Sequence, residues 1–208
     1  MHNGVDTTRY VPDARRPDDG TFRVGVATRL VPGKGVREAI LAFAPCVGER
    51  PVTLRVAGDG PMRSELEDLA RSRGVLAGVE FMGMVSDMPS FWQGCDIAVH
   101  AANGLQESFC LAVAEAQACG LPAVVSRAGA LPSVVADGQT GIVVEPGDID
   151  GLRRAIALYA GDEQLRVAVG AAARSRACRM FSLDRAARDY VGVACDLLDH
   201  RQTEAGRR

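Results

Sequence analysis

Six short apolar runs alternate with segments of helical spacing, and this alternation constrains the fold more than any other feature of the chain. The runs are Arg23 to Thr28, Val52 to Ala57, Val79 to Met82, Asp96 to His100, Pro122 to Ser126 and Ile142 to Glu145. Most are apolar on both faces. A strand with one wet face alternates polar and apolar residues, whereas a strand covered on both sides does not. Helical periodicity fills the gaps, from Val36 to about Val47, Pro61 to Arg73, Met88 to Gly94 and Leu131 to Asp137. Three more helices follow, at Ile149 to Ala160, Asp162 to about Met180 and Leu183 to His200. The pattern predicts an α/β domain with about six parallel strands, helices on both faces and extra C-terminal helices. Ligands of such sheets sit outside the carboxyl ends of the strands. The loops 29–35, 58–60, 83–87 and 100–109 are therefore expected to converge on one edge.

Residues 1–20 are polar, with Asn3-Gly4 and several prolines, and read as a leader or linker. Residues 21–200 form the predicted domain, and 201–208 read as a disordered tail. A net charge of −2 gives no bulk attraction to nucleic acid. The cysteines at 46, 95, 110, 119, 178 and 195 form no C-x-x-C pair and no metal-type spacing. They read mostly as buried thiols in a reducing compartment. No apolar leader follows Met1 and no run approaches a membrane span. The expected location is cytoplasmic, with peripheral contact at the inner membrane face left open.

The segment Glu107-Ser108-Phe109-Cys110-Leu111-Ala112-Val113-Ala114-Glu115 places two carboxylates eight residues apart in what reads as the start of a helix. At about 1.5 Å per residue they would stand roughly 12 Å apart, near the span from a sugar across a diphosphate to a ribose. The helix N-terminus between them would offer N–H groups and partial positive charge to a phosphate. On the plainer reading, Glu107 is a helix-start acid and Glu115 a solvated residue. Positions 111–119 are apolar nearly all round, which argues for a buried helix. A buried Glu115 needs a partner, either a ligand diol or an internal hydrogen bond.

Arg29-Leu30-Val31-Pro32-Gly33-Lys34-Gly35 follows the first strand and opens a helix. Its glycines let backbone approach a ligand, and Arg29 and Lys34 suit phosphate oxygens. Lys34 is the only lysine in the chain. The loop is not of the G-x-x-x-x-G-K-[ST] type, because position 28 is Thr and position 35 is Gly. Gly58-Asp59-Gly60 reads as a tight turn with Asp59 capping the next helix. Asp148-Ile149-Asp150 reads as a helix cap rather than a metal-binding pair. His100 at a strand end reads equally as a base, a sugar ligand or an ordinary polar residue. Trp92 reads as core.

Together these residues resemble the retaining group 1 glycosyltransferases, whose members have two Rossmann-like domains. The resemblance covers nearly the whole chain but only the C-terminal, donor-binding half of that family. It is carried by Asn3-Gly4-Val5-Asp6, Arg29 with Lys34, Gly58-Asp59-Gly60-Pro61, Glu107 with Glu115, and Asp137-Gly138-Gln139-Thr140-Gly141. It implies a single Rossmann-like domain that binds a nucleoside-diphosphate sugar, with no metal and no other cofactor. Arg29 and Lys34 would hold the diphosphate, and Glu107 would contact hydroxyls of the donor sugar. Main-chain N–H groups of Phe109, Cys110 and Leu111 would face the phosphates. Glu115 would hold the ribose diol, and Val85 and Asp87 would lie beside the base. Catalytic roles would fall to Glu107, Arg29 and Lys34. The implied partner is the family's N-terminal acceptor domain or a second chain supplying it, without which inactivity is expected. A last helix lacking that domain would leave an apolar patch exposed. A non-catalytic nucleotide-sugar-binding subunit and a sugar-nucleotide epimerase are the alternative functions. One departure stands out: Glu-Ser-Phe-Cys replaces the family's usual Glu-Gly-Phe-Gly, so Cys110 sets a side chain beside the phosphate loop.

Overall fold

A computed structural model describes residues 3–13, 19–43, 46–48, 50–104 and 107–205; side chains are described through residue 195, those of 46 and 47 excepted. The strands are β1 (Phe22–Ala27), β2 (Cys46–Val47), β3 (Arg50–Ala57), β4 (Val79–Gly83), β5 (Ile97–His100), β6 (Ala123–Ser126) and β7 (Gly141–Val144). Six run parallel in the order β4-β3-β1-β5-β6-β7, and β2 adds two antiparallel residues beside the start of β3. From β1 the chain builds outward through β3 and β4. It then returns and lays β5 against the other side of β1, pairing Val24 with Ile97 and Gly25 with Ala98. The loops leaving β1 and β5 therefore diverge, and a crevice opens between them at the carboxyl edge.

Helices α1 (Val36–Ala42), α2 (Arg63–Ser72), α3 (Met88–Gln93), α4 (Leu111–Ala118), α5 (Leu131–Val134), α6 (Ile149–Gly161), α7 (Glu163–Met180) and α8 (Leu183–Ala205) cover and extend the sheet. One core joins α1, α2 and α6 to one face through Val24, Val26, Leu54, Val56, Ile97 and Leu152. The other joins α3, α4, α5 and the end of α7 to the opposite face through Trp92, Ala98, Ala114, Val125 and Phe181. Trp92 is buried, as its apolar neighbours predicted. The doubly wound α/β fold is the one the strand pattern implied.

Three expectations need correction. Helix α1 ends at Ala42 rather than near Val47; Phe43 is already extended and Cys46–Val47 form a strand. The first residues are no free leader, because 3–13 are built into the domain. Val5 N–H donates to the Phe181 carbonyl (2.6 Å), Leu183 N–H to the Val5 carbonyl (3.0 Å), and the Arg174 guanidinium to the Thr7 carbonyl (2.8 Å). The last helix extends beyond the expected His200 to Ala205, with no glycine or proline to interrupt it after Gly192, and residues 206–208 of the expected tail lie outside the described residues.

Helix α8 exposes Leu183, Tyr190, Val191 and Val193. Among the described residues no helix is long and apolar enough to cross a membrane.

Candidate functional site

The carboxyl edge is built from loops tied to one another. Thr28 N–H donates to the Ala57 carbonyl (3.0 Å) and Leu30 N–H to that of Asp59 (2.9 Å), which fixes the loop after β1 to the turn after β3. Asn103 N–H donates to the Gly33 carbonyl (3.1 Å), and Asn103 Nδ2 to Glu38 Oε1 (3.1 Å), fixing the same loop to the one after β5. Gly35 sits at φ 82, and a Cβ there would lie 2.2 Å from the Ala101 carbonyl carbon. Only glycine allows that approach. On the far side, Ala130 N–H holds the Glu107 carbonyl (2.7 Å), and a Cβ on Gly129 would lie 2.4 Å from the same oxygen.

These ties set Lys34, His100 and Glu107 against one another. Lys34 Nζ forms an ion pair with Glu107 Oε1, and His100 Nε2 lies 3.2 Å from the same oxygen. His100 is 3% exposed and Glu107 9%. Neither ring nitrogen of His100 meets the geometry of a hydrogen bond. His100 holds the Glu107 pKa down, at about 2, against the opposing effect of burial, and Lys34 adds to the lowering. Burial by itself lowers the His100 pKa; Cys110 and Glu107 outweigh it and raise the pKa to about 9.

Glu115 lies on α4, one turn in from its start. The Tyr10 phenol and the Trp92 indole face its carboxyl, and burial, the strongest influence, raises its pKa. The acid is half-buried rather than buried, and the phenol and indole beside it correspond to the internal option of the two.

The eight-residue spacing does not act as a helical ruler. Helix α4 begins at Leu111 with Cys110 as its N-cap, so Glu107 lies in the preceding loop and the rise per residue does not apply to it. The helix N-terminus does fall between the two carboxylates. Its first N–H groups have no intrahelical acceptor, and the Cys110 side chain does not cap them.

Arg29 is exposed at the start of its loop, and Leu111 is exposed at the start of α4. Phe109 packs edge-on against Phe181, with ring centroids 5.4 Å apart. Val85 is half-buried against the second core. Asp87 caps α3 through Ser90, with Oδ2 accepting from the Ser90 hydroxyl (2.6 Å). Asp59 does not cap α2: its carboxylate accepts from Gly60 N–H (2.7 Å), and α2 begins later, at Arg63. Asp148 caps α6 as its spacing suggested, accepting from Gly151 N–H (2.8 Å). In the turn before β7, Thr140 Oγ1 accepts from Ala136 N–H (2.9 Å) and Asp137 Oδ1 from Val143 N–H (2.9 Å). That turn therefore seats the last strand of the sheet.

Cysteine spacing alone missed one grouping. Donor atoms of His100, Glu107 and Cys110 all lie within 4.8 Å of one another, and all three residues are buried. The signal was available as a histidine, a glutamate and a cysteine on one strand-to-helix connection.

Residues 11–176 match the sequence profile of the glycosyl transferases group 1 family. The chain belongs to this family. Relatives include a glycogen synthase of Mycobacterium tuberculosis, 34% identical over 85% of the chain and 43% of that protein. A GDP-mannose-dependent alpha-(1-6)-phosphatidylinositol monomannoside mannosyltransferase of Mycolicibacterium smegmatis is 32% identical over 82% of the chain and 49% of that protein. The chain thus spans less than half the length of either. Among solved structures, Anabaena Alr3699/HepE in complex with UDP superposes with a TM-score of 0.85 at 25% identity, over 94% of this chain and 57% of that one. The C-terminal domain of a group 1 family protein (LpcC) from Francisella tularensis shares the fold over its whole length, with a TM-score of 0.77 at 24% identity.

Proposed function

We propose that this group 1 glycosyltransferase chain binds a nucleoside-diphosphate sugar and serves as the donor half of a retaining transfer. The observation that carries the reading is Lys34 meeting Glu107 at the switch-point crevice, next to the N-terminus of α4. A cation, a carboxylate and free helix amides in one place can divide a sugar nucleotide among them. The amides and Lys34, with Arg29 reaching from the exposed loop, stabilise the charge that grows on the departing diphosphate. Glu107 accepts from donor-sugar hydroxyls and fixes the ring. Glu115 and Val85 serve the nucleoside end, and Asp87 joins them only by giving up part of its hold on α3. Support comes from HepE, solved with UDP, with UDP and glucose, and with UDP-glucose. No step of this reading requires a metal.

Transfer also needs an acceptor site. We assign it to the family's N-terminal domain or to a partner chain, so the described residues alone bind donor without turning it over. The five described cysteines are free thiols, which fits a reducing, cytoplasmic setting, with membrane-bound acceptors approached from the inner face.

Calorimetry with UDP, GDP and ADP tests the reading. At least one should bind. Lys34→Ala should raise its Kd by roughly 10- to 150-fold, the worth of one charge-assisted contact, and Arg29→Ala should act in the same direction. Absence of binding to all three would remove the proposal.

A further inference from the structure

We propose that His100, Glu107 and Cys110 form a three-ligand site for a thiophilic divalent cation, of which Zn²⁺ is the type, and that its occupation opposes donor binding. The cation half rests on the cluster itself. The antagonism rests on the donor reading above.

An imidazole, a carboxylate and a thiol are the donor set that zinc takes up, at about 2.0–2.3 Å from each atom. Tetrahedral bonds of that length separate neighbouring ligand atoms by roughly 3.3–3.7 Å. His100 Nε2 and Glu107 Oε1 stand 3.2 Å apart, and no pair among the three donor atoms exceeds 4.8 Å. Shifts of about an ångström or less would therefore close the set on one ion. The His100 ring makes the stronger argument. It is buried, and its Nε2 lies 3.2 Å from Glu107 Oε1, so it is already aimed at the other two donors. A cation placed among them takes over contacts that the ring makes only in poor geometry. Three protein ligands leave a fourth position open, so the site suits an exchangeable ion rather than a sealed structural one.

The antagonism follows from one shared atom. Glu107 Oε1 already carries Lys34 Nζ, and the ammonium and a divalent cation repel across a few ångströms. An ion on that oxygen expels Lys34 and withdraws the carboxylate from a donor sugar. By linkage, donor weakens the ion as much as the ion weakens donor.

Cobalt(II) is the probe, in a chain whose Cys46, Cys178 and Cys195 are replaced by serine. One equivalent should give a near-ultraviolet thiolate-to-cobalt band and the intense visible bands of a tetrahedral ion. Cys110→Ser should abolish the thiolate band. His100→Gln should weaken binding by more than the roughly 10- to 100-fold that loss of an outer-shell partner costs. Lys34→Met should tighten it. Circular dichroism of each variant confirms folding. No thiolate band, or one that survives Cys110→Ser in a folded chain, overturns the site. UDP-glucose and GDP-mannose are then titrated in chelator and with Zn²⁺, with Cys110→Ser as the control for zinc bound by the nucleotide itself. The affinity of the one that binds should fall about tenfold with zinc in the parent chain only; equal affinities overturn the antagonism. Failure of both, and of UDP, GDP and ADP, to bind in chelator counts against the donor reading and leaves the cobalt result standing.

Discussion

Glu107 and Glu115 are carboxylates eight residues apart, both largely withdrawn from solvent, and the fold gives them opposite characters. Glu107 sits in a loop against a lysine and a histidine, which favour its charge and lower its pKa. Glu115 sits on a helix facing a phenol and an indole, and burial outweighs what these neutral donors return, so its pKa rises. Cations compensate a buried carboxylate, while neutral donors compensate it only in part. The first acid therefore stabilises the folded chain as an anion. The second is tolerated as one.

The largest test separates the two regions physically. In Gly35→Ala, a β-carbon at φ 82 would meet the Ala101 carbonyl group, and the loop carrying Lys34 must move off the loop carrying Glu107. The left-handed conformation and the clash together cost roughly 3–4 kcal/mol, read as a fall in the urea midpoint. Glu107 should then titrate nearer its ordinary value while Glu115 is unmoved. Equal shifts at both, followed by carboxylate NMR, would mean that the strap is not what distinguishes them.

Next comes Glu107→Gln, which leaves a lysine and a buried histidine facing a neutral amide. The loss should be about 2–3 kcal/mol, less than for a fully buried pair because the Lys34 side chain is 22% exposed. The sign with pH follows from the lowered pKa. The carboxylate contributes above its ordinary 4.5 and stops contributing as pH falls through about 2. Wild type and variant should therefore converge in acid. A double-mutant cycle with Lys34→Met should give a coupling of about 1 kcal/mol, and additivity would show that Lys34 and Glu107 act separately.

The sequence carried the architecture because its signal is local. Strands apolar on both faces, such as Val24 to Val26 and Ala123 to Val125, can only lie inside a layered sheet, and the helices between them set its topology. The site was legible as a set of loops and residue types, and Lys34 beside Glu107 follows from two loops leaving adjacent strands. What the residues did not reveal depended on contacts distant in sequence. Tyr10 reaches Glu115 from a segment that looks like linker, held there by Arg174 and by the Val5–Phe181 hydrogen bond. The start of α4 was misplaced for a related reason. Glu107 resembles a helix-start acid, but its carbonyl is tied to Ala130, beyond β6, and this holds it in the loop.

The smallest effect is the one that reverses sign. Burial raises the Glu115 pKa above its ordinary 4.5, so the folded chain binds the proton more readily than the unfolded chain. Its contribution is greatest below 4.5 and declines as pH rises through the folded value. Glutamine cannot ionise and keeps the shape. Glu115→Gln should therefore match wild type in acid and exceed it at neutral pH by about 2 °C in Tm, the shift that ~0.5–1 kcal/mol produces in a chain of this size. The proposed ribose contact predicts that the same variant binds UDP several-fold more weakly, since a charged acceptor becomes a neutral one. A gain in stability joined to a loss in affinity would identify Glu115 as a residue the fold carries for its ligand. A loss in both would mean that Tyr10 and Trp92 need the charge, and that the two glutamates differ less than their surroundings suggest.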